Sequence, residues 1–377
     1  LDVLFRGSLR ATRIISFLPM SSLRIFAGPD ALARLRDEGL CESQFRVMTG
    51  ASGGPKWFVL YGLDRYLFGE FFAGRQDELY TLGSSAGAWR LCCLATADPV
   101  AAIERLAYLY SHEEYSAKPT VSEITDKARV LLQTVLGPTG AREIAQNAVF
   151  RTHIVAARAR GLGSSSNTAL QGLALGSAAL ANVASRRLLS LFFERTLFAN
   201  TGTLAPWQNL RDLPTQTVRL TESNVFMAMM ASGSIPFALA GERHIDGAAP
   251  GLYVDGGITD YHFDVPLHRG EELVLYPHFS PTVVPGWFDK HLAWRRPSIA
   301  NYRNVVLVTP SPEFVAALPY GKIPDRSDFK TLEFPARLDY WQQVLDRSQQ
   351  LAEDFATLVS HTGGLANVEP LPFSQRR

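Results

Sequence analysis

The sequence predicts an α/β fold on a mainly parallel central sheet, and three observations carry that expectation. A β-prone run at 45–49, Phe-Arg-Val-Met-Thr, meets a glycine cluster, Gly50-Ala51-Ser52-Gly53-Gly54-Pro55-Lys56. An aromatic-rich run of helical length and periodicity follows at 57–72. A second β-prone run at 78–82 then enters a glycine and serine turn, and 88–97 reads as the helix leaving it. Strand, glycine loop, helix, strand, sharp turn, helix is how a parallel sheet begins, because parallel neighbours need a crossover between them.

With 377 residues, 46% of them hydrophobic, the chain can bury a large core within one α/β unit. We read one domain over 20–377, with an atypical helical insertion at about 158–215 and a C-terminal extension from about 271. Residues 1–19 are set apart as a tag or non-native leader: 1–7 resemble a protease-cleavable tag, although Arg6 stands where such a tag needs Gln, and Met20 reads as a natural start. The apolar stretch at 14–18 is shorter than the roughly 7–15 residues of a secretory signal core and lacks a small-residue cleavage site. No signal peptide is expected, and the protein is placed in the cytoplasm.

Composition excludes other classes. The 37 basic and 36 acidic residues leave a net charge of +1, so no global field favours nucleic acid. The three cysteines, Cys41, Cys92 and Cys93, are odd in number, and two are adjacent in an apolar run. They fit neither a disulfide framework nor metal-ligand spacing, and the chain reads as adapted to a reducing compartment. No metal or other cofactor is expected.

Further along, 98–147 read as helices, followed by a strand at 152–157. The region 169–198 is unusually apolar and reads as helical, but Gln171, Asn182, Arg186 and Arg187 interrupt it. It therefore falls short of the ~20 clean apolar residues of a membrane span. Two readings stand for it: a buried or half-buried pair of core helices, or a lid or interfacial helix in peripheral contact with a membrane, with Arg186 and Arg187 at headgroup level. A strand at 216–220, a helix at 225–232, strands at 252–254, 272–276 and 304–308, and a long amphipathic helix at 338–359 complete the chain.

The chemistry centres on Ser85 in Gly83-Ser84-Ser85-Ala86-Gly87. A G-x-S-x-G sequence is informative where it joins a strand to a helix, because a tight turn then lifts the serine hydroxyl out of the fold. Attack on an ester carbonyl builds an oxyanion, which needs unobstructed backbone N–H donors. Gly53 and Gly54, at the end of the preceding strand, can supply them, Pro55 cannot, and Lys56 can add positive charge near the oxyanion or a lipid phosphate.

Serine also needs a base. Asp255 follows a β-prone run and precedes Gly256-Gly257, a setting that lets a carboxylate protrude at a strand end. Asp246-Gly247 has one glycine and no preceding apolar strand, so Asp255 is the better candidate. None of the histidines downstream of Ser85 sits in such a glycine-rich loop.

These three elements, in this order, resemble the patatin-like phospholipase family, with Gly53-Gly54-Pro55-Lys56, Gly83-x-Ser85-x-Gly87 and Asp255-Gly256-Gly257 matching its motifs. Ala231-Ser232-Gly233-Ser234-Ile235-Pro236 is similar to the block that precedes the family's aspartate, and the resemblance spans about 45–270. It implies a three-layer α/β/α fold with helices on both faces of the sheet, and a Ser-Asp dyad that cleaves lipid acyl esters without a metal. Ser85 would then be the nucleophile, Asp255 the general base, and Gly53 and Gly54 the oxyanion donors. The chain departs from the pattern at Ser52, where a third glycine is common, and at Trp57, where a small residue is typical. The rival readings are a Ser-Asp-His esterase using His278, His291 or His361, a membrane- or partner-binding scaffold with little turnover, and an acyltransferase with the same nucleophile.

Overall fold

The computed structural model describes residues 21–200, 207, 210–361 and 363–373. The tag-like leader 1–19 and Met20 lie outside the described residues.

Ten strands form one sheet: β1 (Leu23–Ala27), β2 (Phe45–Gly50), β3 (Leu79–Ser84), β4 (Phe150–Ala159), β5 (Phe193–Ala199), β6 (Thr215–Arg219), β7 (Leu252–Asp255), β8 (Leu273–Pro277), β9 (Val305–Pro310) and β10 (Glu369–Pro370). Their order is β10-β1-β9-β8-β2-β3-β4-β5-β6, with β7 paired to β4 off this path. Most neighbours are parallel; β1 runs against β9, and β4 runs against both β5 and β7. Strands β3, β8 and β9 are buried throughout, as expected where helices cover a sheet, whereas β6 and β10 at the edges are half exposed. The fold is thus α/β, with helices packed around a mostly parallel sheet.

Residues past 271 supply β8, β9 and β10, and β8 lies directly between β2 and β9. The segment 158–215 contains the helix Thr168–Ala184, a 3-10 turn at Arg186–Leu191, and β5. This corrects the expectation of a helical region over all of 169–198. Its last part is extended because Phe193, Arg195, Leu197 and Ala199 alternate into one face and the whole run pairs antiparallel with β4.

Two other expected helices are divided. The run at 57–72 is a 3-10 segment (Gly54–Leu60), one α-helical stretch (Tyr61–Tyr66) and a π turn (Leu67–Phe71). The run at 338–359 is two helices, Phe334–Arg347 and Gln349–Ser360, parted at Ser348. One contact accounts for the second division. The Ser348 hydroxyl accepts the Gly62 N–H at 2.7 Å and donates to the Leu345 carbonyl at 2.6 Å, so the backbones meet where Gly62 has no side chain.

The helix Ala86–Leu94 is buried along its whole length. Its Arg90 forms a buried two-pronged ion pair with Asp64, at 2.7 and 2.6 Å, which fixes it to the helix Tyr61–Tyr66. A second apolar cluster, separate from the main core, joins the inserted helix to the sheet through Ala178, Leu189, Phe193, Leu252, Val254 and Ile258.

Candidate active site

Strands β2 and β3 are parallel and registered Gly50 to Gly83, so the glycine loop and the serine turn emerge side by side at their C-terminal ends. Ser85 is the turn itself, with φ 55° and ψ −132°, a conformation that costs a non-glycine residue about 1–3 kcal/mol. The neighbouring glycines make room for it. A Cβ on Gly87 would stand 2.0 Å from the Gly50 carbonyl oxygen, and one on Gly83 would stand 2.5 Å from the Ala88 Cα. The helix Ala86–Leu94 starts immediately after Ser85, directing its N-terminal end at that residue.

The Ser85 hydroxyl donates to Asp255 Oδ2 at 2.7 Å. The other oxygen, Oδ1, accepts the Gly257 N–H at 2.7 Å. Both residues are nearly enclosed, Ser85 at 5% exposure and Asp255 at 6%. Asp255 therefore does not protrude, contrary to the expectation from its sequence setting. Gly256 and Gly257 serve close packing instead: a Cβ on Gly256 would stand 2.1 Å from the Val155 carbonyl oxygen, and one on Gly257 would stand 2.8 Å from Ser52 Oγ. Burial raises the Asp255 pKa above the usual carboxylate value, against the opposing pull of the Ser85 hydrogen bond, the Arg326 charge, the Gly257 N–H and the Lys290 charge.

The glycine loop is tied to both partners. Ser52, which departs from the usual glycine, donates its hydroxyl to Ser84 Oγ at 3.0 Å and its N–H to the Tyr261 carbonyl at 2.9 Å. Gly53 and Gly54 follow, and among the described residues their N–H groups meet no acceptor. Trp57, the other departure, is buried against Phe58 in the core. Lys56 does not line the pocket over Ser85. It pairs with Asp325 at 3.2 Å and faces a neighbouring cleft.

Several residues at the site carry no sequence signal. Arg326 lines the pocket with Ser85, Asp255, Tyr261 and Trp287, although it lies in a loop far along the chain. Lys290 sits over the Tyr261 ring, 4.0 Å from its centroid. Ser232 accepts the Ser85 N–H at 2.9 Å and donates to the Val155 carbonyl at 2.6 Å, and the Ser234 carbonyl accepts the Asp255 N–H at 2.8 Å. The small-residue block at 231–236 thus fastens both members of the pair, a role its resemblance suggested only in outline. The loop after Asp255 is held by Arg195, bonded to both oxygens of Asp260 at 2.7 Å, and by Arg186, which donates to the Thr259 carbonyl.

Arg186 also lies 3.6 Å from Asp260 and 3.7 Å from Asp289. Those buried carboxylates need a counter-charge, so Arg186 is turned inward; only Arg187 stays exposed as a headgroup-level arginine would.

No histidine among the described residues bonds Ser85 or Asp255. His278 is fully buried, its ring bonded to the backbone of Ser280, and burial pushes it down to about 3. His291 and His361 are exposed. Asp246 is exposed and takes the Ser223 hydroxyl at 2.5 Å. No group of three or more His, Cys, Asp and Glu residues suited to a metal ion occurs among the described residues.

Residues 80–265 match the family model described as patatin-like phospholipase. The matched segment contains Ser85, the 231–236 block and Asp255, and begins after the glycine loop. No curated protein matches the chain.

Proposed function

Residues 80–265 being a patatin-like phospholipase domain, of a family that acts on lipids as acyl hydrolases, we propose that this chain cleaves fatty acyl esters through Ser85 and Asp255. The observation that carries this is the 2.7 Å hydrogen bond from the Ser85 hydroxyl to Asp255, made by a serine in a strained turn at a helix N-terminus. In this reading Asp255 takes the hydroxyl proton as Oγ attacks the acyl carbonyl. The unpaired N–H groups of Gly53 and Gly54 receive the tetrahedral oxyanion. Collapse expels the alcohol, which recovers the proton from Asp255. Water, deprotonated by the same carboxylate, then releases the fatty acid and restores Ser85. The raised pKa of Asp255 makes it a stronger base than an ordinary carboxylate, which suits a hydroxyl proton.

Access and membrane contact follow from the surroundings. The space over the pair is about 20 Å³, close to one water, so Trp287, Pro236 or Arg326 must move to admit an ester. Next to Trp287, the helix Thr168–Ala184 and the turn after it expose Leu173, Leu180 (76%) and Leu191 (66%). This apolar patch supports peripheral contact with a lipid surface, half-way between the two readings of the segment: its inner face packs, and its outer face is bare. No helix among the described residues is long and apolar enough to cross a membrane.

The reading is tested by mass spectrometry of phospholipid vesicles incubated with the protein or with Ser85→Ala. Free fatty acid and lysolipid should accumulate with the first alone. Equal release by both would remove Ser85 from the reaction, and acyl transfer to an added alcohol in place of water would make the protein a transferase.

A further inference from the structure

The charges around the Ser85 pocket do not cancel. Arg326 lines it, with its Nε 3.2 Å from where a Cβ on Gly54 would stand, so the guanidinium covers the glycine loop. Tyr261 is a wall both of this pocket and of an adjoining cleft of about 890 Å³. Lys290 holds its Nζ above that same ring, and Lys56 lines the same cleft. The other cations of the cleft are neutralised, Arg24 by Glu369 and Lys322 by Asp328. Asp325 serves Lys56, and among the described residues no carboxylate lies within ion-pair distance of Arg326 or Lys290.

We propose that Arg326, Lys290 and Lys56 form a phosphate site that selects acyl esters with an anionic phosphate headgroup, a proposal that rests on the hydrolytic reading of Ser85. A guanidinium grips phosphate oxygens in a two-pronged fork, and two ammonium groups add point charges, a combination suited to phosphate more than to a neutral polar head. The cleft has room for a glycerophosphate, and the pocket it adjoins holds the nucleophile. The mutual strain of the cations is visible in Lys290: loss of water around its ammonium, with Arg326 and Lys56 nearby, brings it down to about 8 although Asp255 and Asp325 pull the other way. An incoming phosphate relieves that repulsion. On its other side the Ser85 pocket shares Pro236 with a small apolar pocket lined by Leu175, Phe192, Phe237 and Val254. The headgroup and the acyl chain thus have separate places to go.

The test uses the full-length Ser85→Ala protein, which keeps the cations without turnover. Calorimetry compares its binding to uncharged-detergent micelles carrying dioctanoyl phosphatidic acid or dioctanoylglycerol, and to free glycerol 3-phosphate. The phosphatidic acid micelles should bind at least tenfold tighter than the diacylglycerol micelles. That preference should fall fivefold or more with Arg326→Gln or Lys290→Gln added, and return largely with Arg326→Lys. A preference unchanged by both Gln variants overturns the site. Cation-dependent binding of glycerol 3-phosphate without any micelle preference also overturns it, making the ligand a free anion. Turnover of a nitrophenyl ester by the wild type but not by Ser85→Ala is measured in parallel. Its absence would count against the hydrolytic reading while leaving the binding comparison to decide the site.

Discussion

Ser84 and Asp255 are registered against consecutive residues of one strand, Val155 and Ala156 of β4. Strand β3 runs parallel to β4 and β7 antiparallel to it, along the same edge, so their C-terminal ends meet head-on. This is why Ser85 and Asp255, 170 residues apart, are joined by a short hydrogen bond. The approach has to be close, and Gly256 permits it.

Gly256→Ala should destabilise the protein by about 1–3 kcal/mol or more, because its Cβ would stand 2.1 Å from a backbone oxygen that cannot swing away. Gly176, inside the exposed part of the helix Thr168–Ala184, has nothing within 4 Å of where a Cβ would stand. There the same substitution should stabilise by about 0.5–1 kcal/mol. Urea titrations of the two variants check the opposite signs.

The pH dependence of kcat/KM should show an acid limb above the usual carboxylate value of about 3.9, since burial raises Asp255 and its charged form is the base. Arg326 favours that charged form. Removing it in Arg326→Gln should therefore move the limb to still higher pH, and a shift to lower pH would show that Asp255 is not the titrating group.

Asp255→Asn should raise the melting temperature near neutral pH. A carboxyl whose folded pKa is raised is least costly when protonated in both states, below its unfolded value, and costs stability as pH rises through the folded value. Thermal scans should therefore find the variant's advantage at pH 7 and see it vanish towards pH 3.

Leu180→Glu combined with Leu191→Glu should reduce sedimentation with phospholipid vesicles at least fivefold, because both side chains stand on the bare apolar patch. Retention of full vesicle binding would move the membrane contact elsewhere on the surface.

Much of the fold was legible because strand, glycine loop and turn each leave a local mark. The positions of Ser85 and Asp255 followed from glycines whose spacing reflects backbone contact. What stayed hidden was set by distant partners. Nothing local distinguishes Phe193 in a strand from Phe193 in a helix until β4 lies beside it. Ser348 divides a helix because Gly62 reaches it from 286 residues away. Arg326 enters the pocket from a loop with no motif, and Asp255 is buried by elements that its Asp-Gly-Gly sequence does not record.

The central claim is that Ser85 is a nucleophile activated by Asp255. Time-resolved labelling with a fluorophosphonate probe, read by intact-protein mass spectrometry, tests it most directly. The wild type should gain one adduct, Ser85→Ala none, and Asp255→Asn the same adduct at a rate at least a hundredfold lower, about 2.7 kcal/mol in barrier. An adduct on Ser85→Ala, or undiminished labelling of Asp255→Asn, would contradict it.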